Sequence, residues 1–226
     1  MHMPQFIAKP VFHLFYRYYR RASPMPPIRR VIKPYPLAAA SAFEDLFASA
    51  SASGCIDPIE YNLPFPKVDF LNYLCDWRGF VAHGSTLPDL ATLQPLRLTK
   101  DTSEFGNRQQ IFSSPDAIWA LWFAILDKSR IRFTENGCVR VGHGPGRIKY
   151  YHFDLPAENK PDPPFTEGMV YIANAGDFPD HRPYPMLDWF DAEVEEWGST
   201  VPVTPLVKLS VIPEDFPYLD KVQFRL

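Results

Sequence analysis

Few cysteines, no long apolar run and no excess charge of either sign: these shortages bound the chain before any motif is read. Cys55, Cys75 and Cys138 are odd in number and widely spaced, with no C-x-x-C pair. That pattern argues against a disulfide framework and for a reducing compartment, with the thiols packed or inert. No stretch of eighteen apolar residues occurs, which excludes an integral membrane span. A formal net charge of −3 exerts no general pull on nucleic acid, so a nucleic-acid partner is not expected. Internal repeats are absent. No glycine-rich loop leads from a strand into a helix as phosphate-binding loops require. His143, His152, His181 and Cys138 lack metal-ligand spacing, and no metal is expected.

Acidic residues are missing from the first forty-three positions, which hold Lys9, Arg17, Arg20, Arg21, Arg29, Arg30 and Lys33 interleaved with Phe6, Phe12, Phe15, Tyr16, Tyr18 and Tyr19. Five prolines from Pro24 to Pro36 argue against one continuous amphipathic helix there. Three readings stay open: a flexible or loosely docked extension, a targeting leader, or an arm for phosphate or membrane surfaces. The leader reading allows an organellar location, and otherwise a cytoplasmic one is expected. No apolar segment with a small-residue cleavage site follows the charges, so a secretory signal is not expected. Leu37–Ala50 permits a helix but fades into Ser-Ala repeats ending at Gly54, which suggests a linker. The expected organisation is therefore an extension over residues 1–54 and a single folded domain over 55–226, its chain entering from Ile56.

What the chain has in abundance is proline and aromatic rings. Twenty-five prolines in 226 residues are over twice the usual share of ~5 % and cut the chain into short elements. Aromatic residues make up 15 %, enough to fill a core of short strands with large rings. The spacing predicts a helix from Pro66 to Trp77 closed by Gly79, a strand Phe80–His83 and an exposed loop over Lys100–Arg108. A strand Gln110–Ser113 follows, running into a helix through Leu126. Ser114, Pro115 and Asp116 suit the N-cap, first position and first turn of that helix. Asn136-Gly137 predicts a hairpin between Arg130–Thr134 and Val139–Val141. Gly142-His-Gly-Pro-Gly146 reads as a turn. Strands are expected at Ile148–Leu155, Met169–Ala173 and Val203–Val211. Pro185–Trp197 reads as a helix with Asp188, Asp191, Glu193, Glu195 and Glu196 on a solvated face. This order of elements is α+β rather than alternating βαβ.

Two blocks carry the candidate chemistry. In the first, Phe80-Val-Ala-His83-Gly84-Ser85-Thr86 ends an apolar strand on an imidazole, a glycine and two hydroxyls. In the second, Phe112-Ser113-Ser114 ends a strand at the start of a buried helix, whose free N–H groups favour an anion. Together they resemble the ADP-ribosyltransferase-like superfamily, with Asp116, Ala120, Phe123 and Ala124 matching the helix pattern. The resemblance covers residues 78–126, and residues 165–180 more loosely. It implies small split sheets flanked by helices and a cleft that holds NAD. There His83 would bond the adenosine ribose, the Gly84 backbone would pair with the nicotinamide amide, and Ser85, Ser113 and Ser114 would line the pocket.

The implied activity is transfer of ADP-ribose, with a protein as one acceptor the resemblance allows, or cleavage of the nicotinamide–ribose bond. Active members carry a glutamate on a third strand, here Gly168-Met-Val-Tyr171-Ile, where glutamate is absent from the matching position. Glu167 through a bulge, or Tyr171 in its place, are the substitutes, with His83 completing the catalytic set. Otherwise the chain is a non-catalytic ligand-binding or protein-interaction module on the same fold. Trp189 and Trp197, beside the acidic run, would then form a contact surface. An unrelated hydrolase using His83 as general base is a third reading.

Overall fold

A computed structural model describes residues 4–19, 27–55, 57–96 and 103–225. Arg20, Arg21, Pro24, Pro26, Ile56 and Lys100 to Thr102, which figure in the expectations above, lie outside the described residues. In chain order the elements are α1 (Gln5–Tyr19), β1 (Ile28–Val31), α2 (Leu37–Ser53), α3 (Lys67–Asp76), β2 (Phe80–Ser85), β3 (Ile111–Ser113) and α4 (Ala117–Ala124). Then follow β4 (Glu135–Val141), β5 (Ile148–Pro156), β6 (Gly168–Asn174), β7 (Asp180–His181), β8 (Ala192–Val194), β9 (Trp197–Ser199), β10 (Val207–Val211) and β11 (Gln223–Arg225). Short 3₁₀ turns join several of them. The class is α+β, as the order of elements predicts.

Three small sheets result. One runs β1-β5-β4-β8, with β11 joining β5 in parallel beyond β1. The second is β10-β6-β2 and the third β3-β9-β7, each antiparallel. α4 lies between the first two sheets, which accounts for its being apolar nearly all round. Its Trp119, Leu121 and Trp122 share one cluster with Tyr151 and Phe153 of β5 and with Val170 and Ile172 of β6. The outer face of the five-stranded sheet carries α1, where Phe12 and Tyr16 pack on Val141, Tyr150 and Leu187. The far face of β10-β6-β2 presents Val81, Met169 and Tyr171 to Ile111, Leu93, Phe178 and Val203.

Two glycines set how closely α4 approaches its sheet. A Cβ at Gly84 would lie 1.8 Å from the Ala120 carbonyl oxygen, and one at Gly168 would lie 1.9 Å from that of Ala124. Both strands press backbone to backbone against the helix, a use of Gly84 beyond ligand approach.

The structure departs from the expectations in four places. Where described, residues before 54 belong to the folded body. β1 adds to β5 from Ile28↔Tyr151 to Val31↔Ile148, and Phe43 and Phe47 of α2 join the core around α4. The Ser-Ala stretch is the last turns of α2, closed by Gly54 at φ 73°. Next, Asn136-Gly137 is mid-strand rather than a turn. Gly137 pairs with His152, whose Cε1 lies 2.8 Å from where a Cβ would sit, so a side chain there would push the cross-strand ring aside. The hairpin turns instead at Gly142–Gly146, where Gly142, Gly144 and Gly146 all have positive φ.

Thirdly, Pro185–Phe190 is a 3₁₀ segment, and the acidic run continues as β8 and β9. Glu193 faces Arg140 across β4 and β8, so a partner far away in the chain overrides local helix propensity. Finally, Asp116 rather than Ser114 caps α4, its Oδ1 accepting from Trp119 N at 2.8 Å.

Candidate functional site

β2 is an edge strand of its sheet, and β3 reaches it only at its tip. Ala82 N donates to Ser114 O (2.8 Å) and Ser114 N to Ala82 O (2.9 Å), a single bridge. The His83 ring clamps the same junction, Nδ1 donating to Phe112 O at 2.6 Å. Below this bridge the strands diverge around a cleft of about 670 Å³. His83, Gly84, Ser85, Ser113 and Ser114 all line it, together with Trp119, Phe123 and Asn136. The two strand ends singled out in the sequence therefore meet edge to edge over one cavity.

The backbone parity of β2 decides which groups face that cavity. In an antiparallel ladder, successive residues direct N–H and C=O to opposite sides, and residues two apart direct them to the same side. Ala82 directs both toward β3, so Gly84, two residues on, directs both outward along the same edge, into the cleft. A donor and an acceptor side by side match a primary carboxamide or another strand. Beside them, Ser113 Oγ is buried without a hydrogen-bond partner. Such an orphaned hydroxyl costs on the order of 1–3 kcal/mol unless a ligand or water meets it.

Ser114 is committed to the scaffold. Its hydroxyl donates to Glu195 O (2.6 Å) and accepts from Asp116 N (3.0 Å). Trp119 Nε1 donates to Asn136 Oδ1 at 2.6 Å, fixing the indole at the cleft wall. Phe123, the half-buried face of α4, has Lys128 Nζ 4.9 Å above its ring. Lys128, Arg132 and Arg182 supply positive charge to the lining, against Glu196 as its single carboxylate among the described residues. Glu196 pairs with Arg182 at 2.6 Å.

Two residues expected in the catalytic set lie elsewhere. Glu167 is exposed, just before β6, and does not line the cleft. Tyr171 sits opposite His83 in the sheet, with ring centroids 6.3 Å apart, but it is fully buried. Its hydroxyl donates to Leu87 O (2.6 Å) and accepts from Leu90 N (3.1 Å), and burial raises its pKa. Tyr171 thus ties down the loop after β2 rather than facing a ligand.

Behind the cleft lies a buried charge cluster that sequence spacing did not reveal. Lys149 Nζ, 1 % exposed, contacts Asp76 (2.9 Å), Asp116 (3.1 Å) and Glu195 (2.8 Å), and donates to Pro115 O (3.0 Å). Arg30 of β1 adds Asp76 at 2.8 Å and Asp116 at 3.1 Å, and donates to Tyr151 Oη at 2.9 Å. Arg140 meets Glu195 from the other side at 2.8 Å. Burial alone would raise the Asp116 carboxyl. Lys149, Arg30, the Trp119 N–H and the Tyr151 hydroxyl outweigh it and hold the pKa at about 2. The Lys149 ammonium is likewise opposed by burial, yet Asp116, Asp76 and Glu195 raise its pKa well above the usual range. The cluster joins β1, α3, the α4 cap, β5 and the β8–β9 turn, so it holds the cleft's back wall in register. The signal missed in the sequence was Lys149, a lysine set between Ile148 and the aromatic pair Tyr150-Tyr151 at the start of β5.

Burial raises the thiols of Cys75 and Cys138 well above the ordinary value, leaving them poor nucleophiles. Among the described residues no group of three His, Cys, Asp or Glu is arranged to hold a metal, and no helix is long and apolar enough to cross a membrane. Compared with protein-family models, with curated proteins and with solved structures, the chain matches none.

Proposed function

We propose that the cleft takes a carboxamide-bearing nucleotide, NAD or a close relative, and that the chain is ADP-ribosyltransferase-like in fold and activity. The observation that carries this reading is the outward-facing N–H and C=O pair of Gly84, set beside His83 and the unpartnered Ser113 hydroxyl in one cavity. A nicotinamide amide would complete the β2 edge as a strand would, one donor and one acceptor each way. Trp119 and Phe123 offer flat apolar surface for a ring, and the lining's three cations outnumber its one carboxylate, Glu196, among the described residues, a charge balance that favours a diphosphate even though Arg182 is paired with Glu196 and Arg132 with Glu158. The chemistry asked of such a site is modest. The bond from ribose to nicotinamide breaks with its electron pair leaving on nicotinamide. The ribosyl cation is then taken by water or by an acceptor hydroxyl or amine, which gives up a proton, or by an acceptor carboxylate, which has none to lose.

Calorimetric titration with NAD, wild type against His83→Ala, tests binding. The expected result is a saturable heat that the variant weakens about tenfold or more, by loss of a charged or neutral hydrogen bond near the ribose. No heat with wild type, with the protein folded, sinks the reading.

A second reading, binding without transfer, is favoured by one specific observation. Glu167 lies outside the cleft, and Glu196, the carboxylate inside it, is already paired with Arg182. A site lacking a free carboxylate near the developing cation gives up roughly 10²–10³ in rate. Nicotinamide release above a buffer blank, followed for hours at high protein concentration, would leave the transferase reading standing and remove this one.

A further inference from the structure

α1 is apolar on two opposite sides, and the fold uses only one of them. Ala8, Phe12 and Tyr16, one helical turn apart, are buried against the outer face of β4 and β5, and Tyr16 Oη hydrogen-bonds His152 Nδ1 at 2.8 Å. Ile7, Val11, Leu14 and Tyr18 recur at four, three and four residues along the other side and stay exposed, at 41 %, 39 %, 66 % and 70 %. Phe6 adds 79 % at the start of the helix. Trp189 is 72 % exposed in the 3₁₀ segment whose Phe190 stacks on Phe15. Because Phe12 and Tyr16 pin the helix, this stripe is displayed in a fixed direction, running about 16 Å along the axis at 1.5 Å per residue. Monomeric surfaces seldom leave so continuous a patch uncovered.

The charge around the stripe selects its occupant. Arg17 on the helix and Arg29 of β1, which acts electrostatically on His13 of the helix, are both exposed, and no acidic residue precedes Glu44 in the sequence. Trp189 lies between Asp188 and Asp191 in chain order, the second of them paired with His143 at 2.7 Å. A second copy packed through this stripe would set its basic rim against an identical one, which opposes pairing. A flat anionic surface instead satisfies both the apolar row and its cations, the pattern of a helix lying in the plane of a lipid interface.

We propose that α1 is a peripheral membrane-binding element. It would lay Phe6, Ile7, Val11, Leu14 and Tyr18 into the surface of an anionic phospholipid bilayer, with Arg17 and its basic neighbours at the headgroups. Aromatic side chains suit that level, since one end of each ring system tolerates water. The five-stranded sheet then rides on the membrane through α1, and the nucleotide reading of the cleft is not needed for this to hold.

The test is flotation of the full chain with vesicles of phosphatidylserine and phosphatidylcholine in equal parts, against phosphatidylcholine alone. Binding is expected to the anionic vesicles, falling as salt is raised and weak on the neutral ones. Phe6→Glu with Leu14→Glu should cut the bound fraction about tenfold or more by placing charge where apolar contact was. Arg17→Glu should weaken it less. All three side chains are exposed, so the thermal midpoint should not move. Folded wild type that ignores anionic vesicles, or binding indifferent to the paired glutamates, overturns the proposal. A dimer in sedimentation velocity that Leu14→Glu dissolves also overturns it, by showing that the stripe belongs to a second copy.

Discussion

Replacing Lys149 by methionine removes the single cation that three buried carboxylates share, without changing much of its volume. Asp76, Asp116 and Glu195 lie 2.9, 3.1 and 2.8 Å from its ammonium, and the Pro115 carbonyl a further 3.0 Å away loses its donor as well. Arg30 and Arg140 remain, so the cluster is left short of charge rather than empty of it. Removing one member of a buried ion pair typically costs about 3–5 kcal/mol, because the partner is stranded in low dielectric. Against a total stability of roughly 5–15 kcal/mol, that leaves the variant marginal at neutral pH. Urea unfolding followed by tryptophan fluorescence measures it, and the midpoint should fall with little change in slope.

The pH dependence carries the sharper check. Without Lys149, one buried carboxyl should take up a proton in the folded state, its pKa rising above the unfolded value of ~4. A folded pKa raised in this way favours the native state at low pH and loses that advantage as pH rises through it. The deficit of Lys149→Met should therefore narrow from pH 7 toward pH 5. A loss under about 1 kcal/mol, or one equal at both pH values, would refute the argument that the cluster is an electrostatic keystone.

Two other outcomes follow from the same geometry. Gly84→Ala would drive a methyl to 1.8 Å from the Ala120 carbonyl, and pushing β2 off α4 should destabilise by at least the ~1–3 kcal/mol of ordinary overpacking, visible as a lowered thermal midpoint. For the wild type, Asp116 held at about 2 against ~3.9 unfolded contributes about 2–3 kcal/mol that is present above pH 4 and lost as pH falls toward 2, so Asp116→Asn should flatten the acid limb of an unfolding profile against pH.

The sequence by itself determined those elements whose local signals agree with their surroundings. Pro66 and Asp116 open helices at or beside the expected residues, and the glycines at 142, 144 and 146 make the expected turn because positive φ suits them whatever packs nearby. The paired strand ends at His83 and Ser113 were legible for a related reason. Hydroxyls, glycine and imidazole at the tips of apolar runs are local facts, and both tips line one cleft.

Only the tertiary structure decided the rest, where a residue's role depends on what lies across a sheet from it. Asn136-Gly137 stays extended because β4 pairs with β5 without a break from Glu135↔Asp154 to Val141↔Ile148. Glu193 and Glu195 become strand and turn residues because Arg140 and Lys149, more than forty positions earlier, neutralise them there. Tyr171 and Glu167 leave the candidate site because burial and sheet register, neither readable from spacing, assign one to a loop clamp and the other to solvent. The basic start of the chain reads as an extension until β5 offers an edge for Ile28–Val31 and Phe12 finds Tyr150 beneath it. Local propensity is worth tenths of a kcal/mol per residue, whereas these long-range contacts bury whole rings and pair charges, and so they prevail.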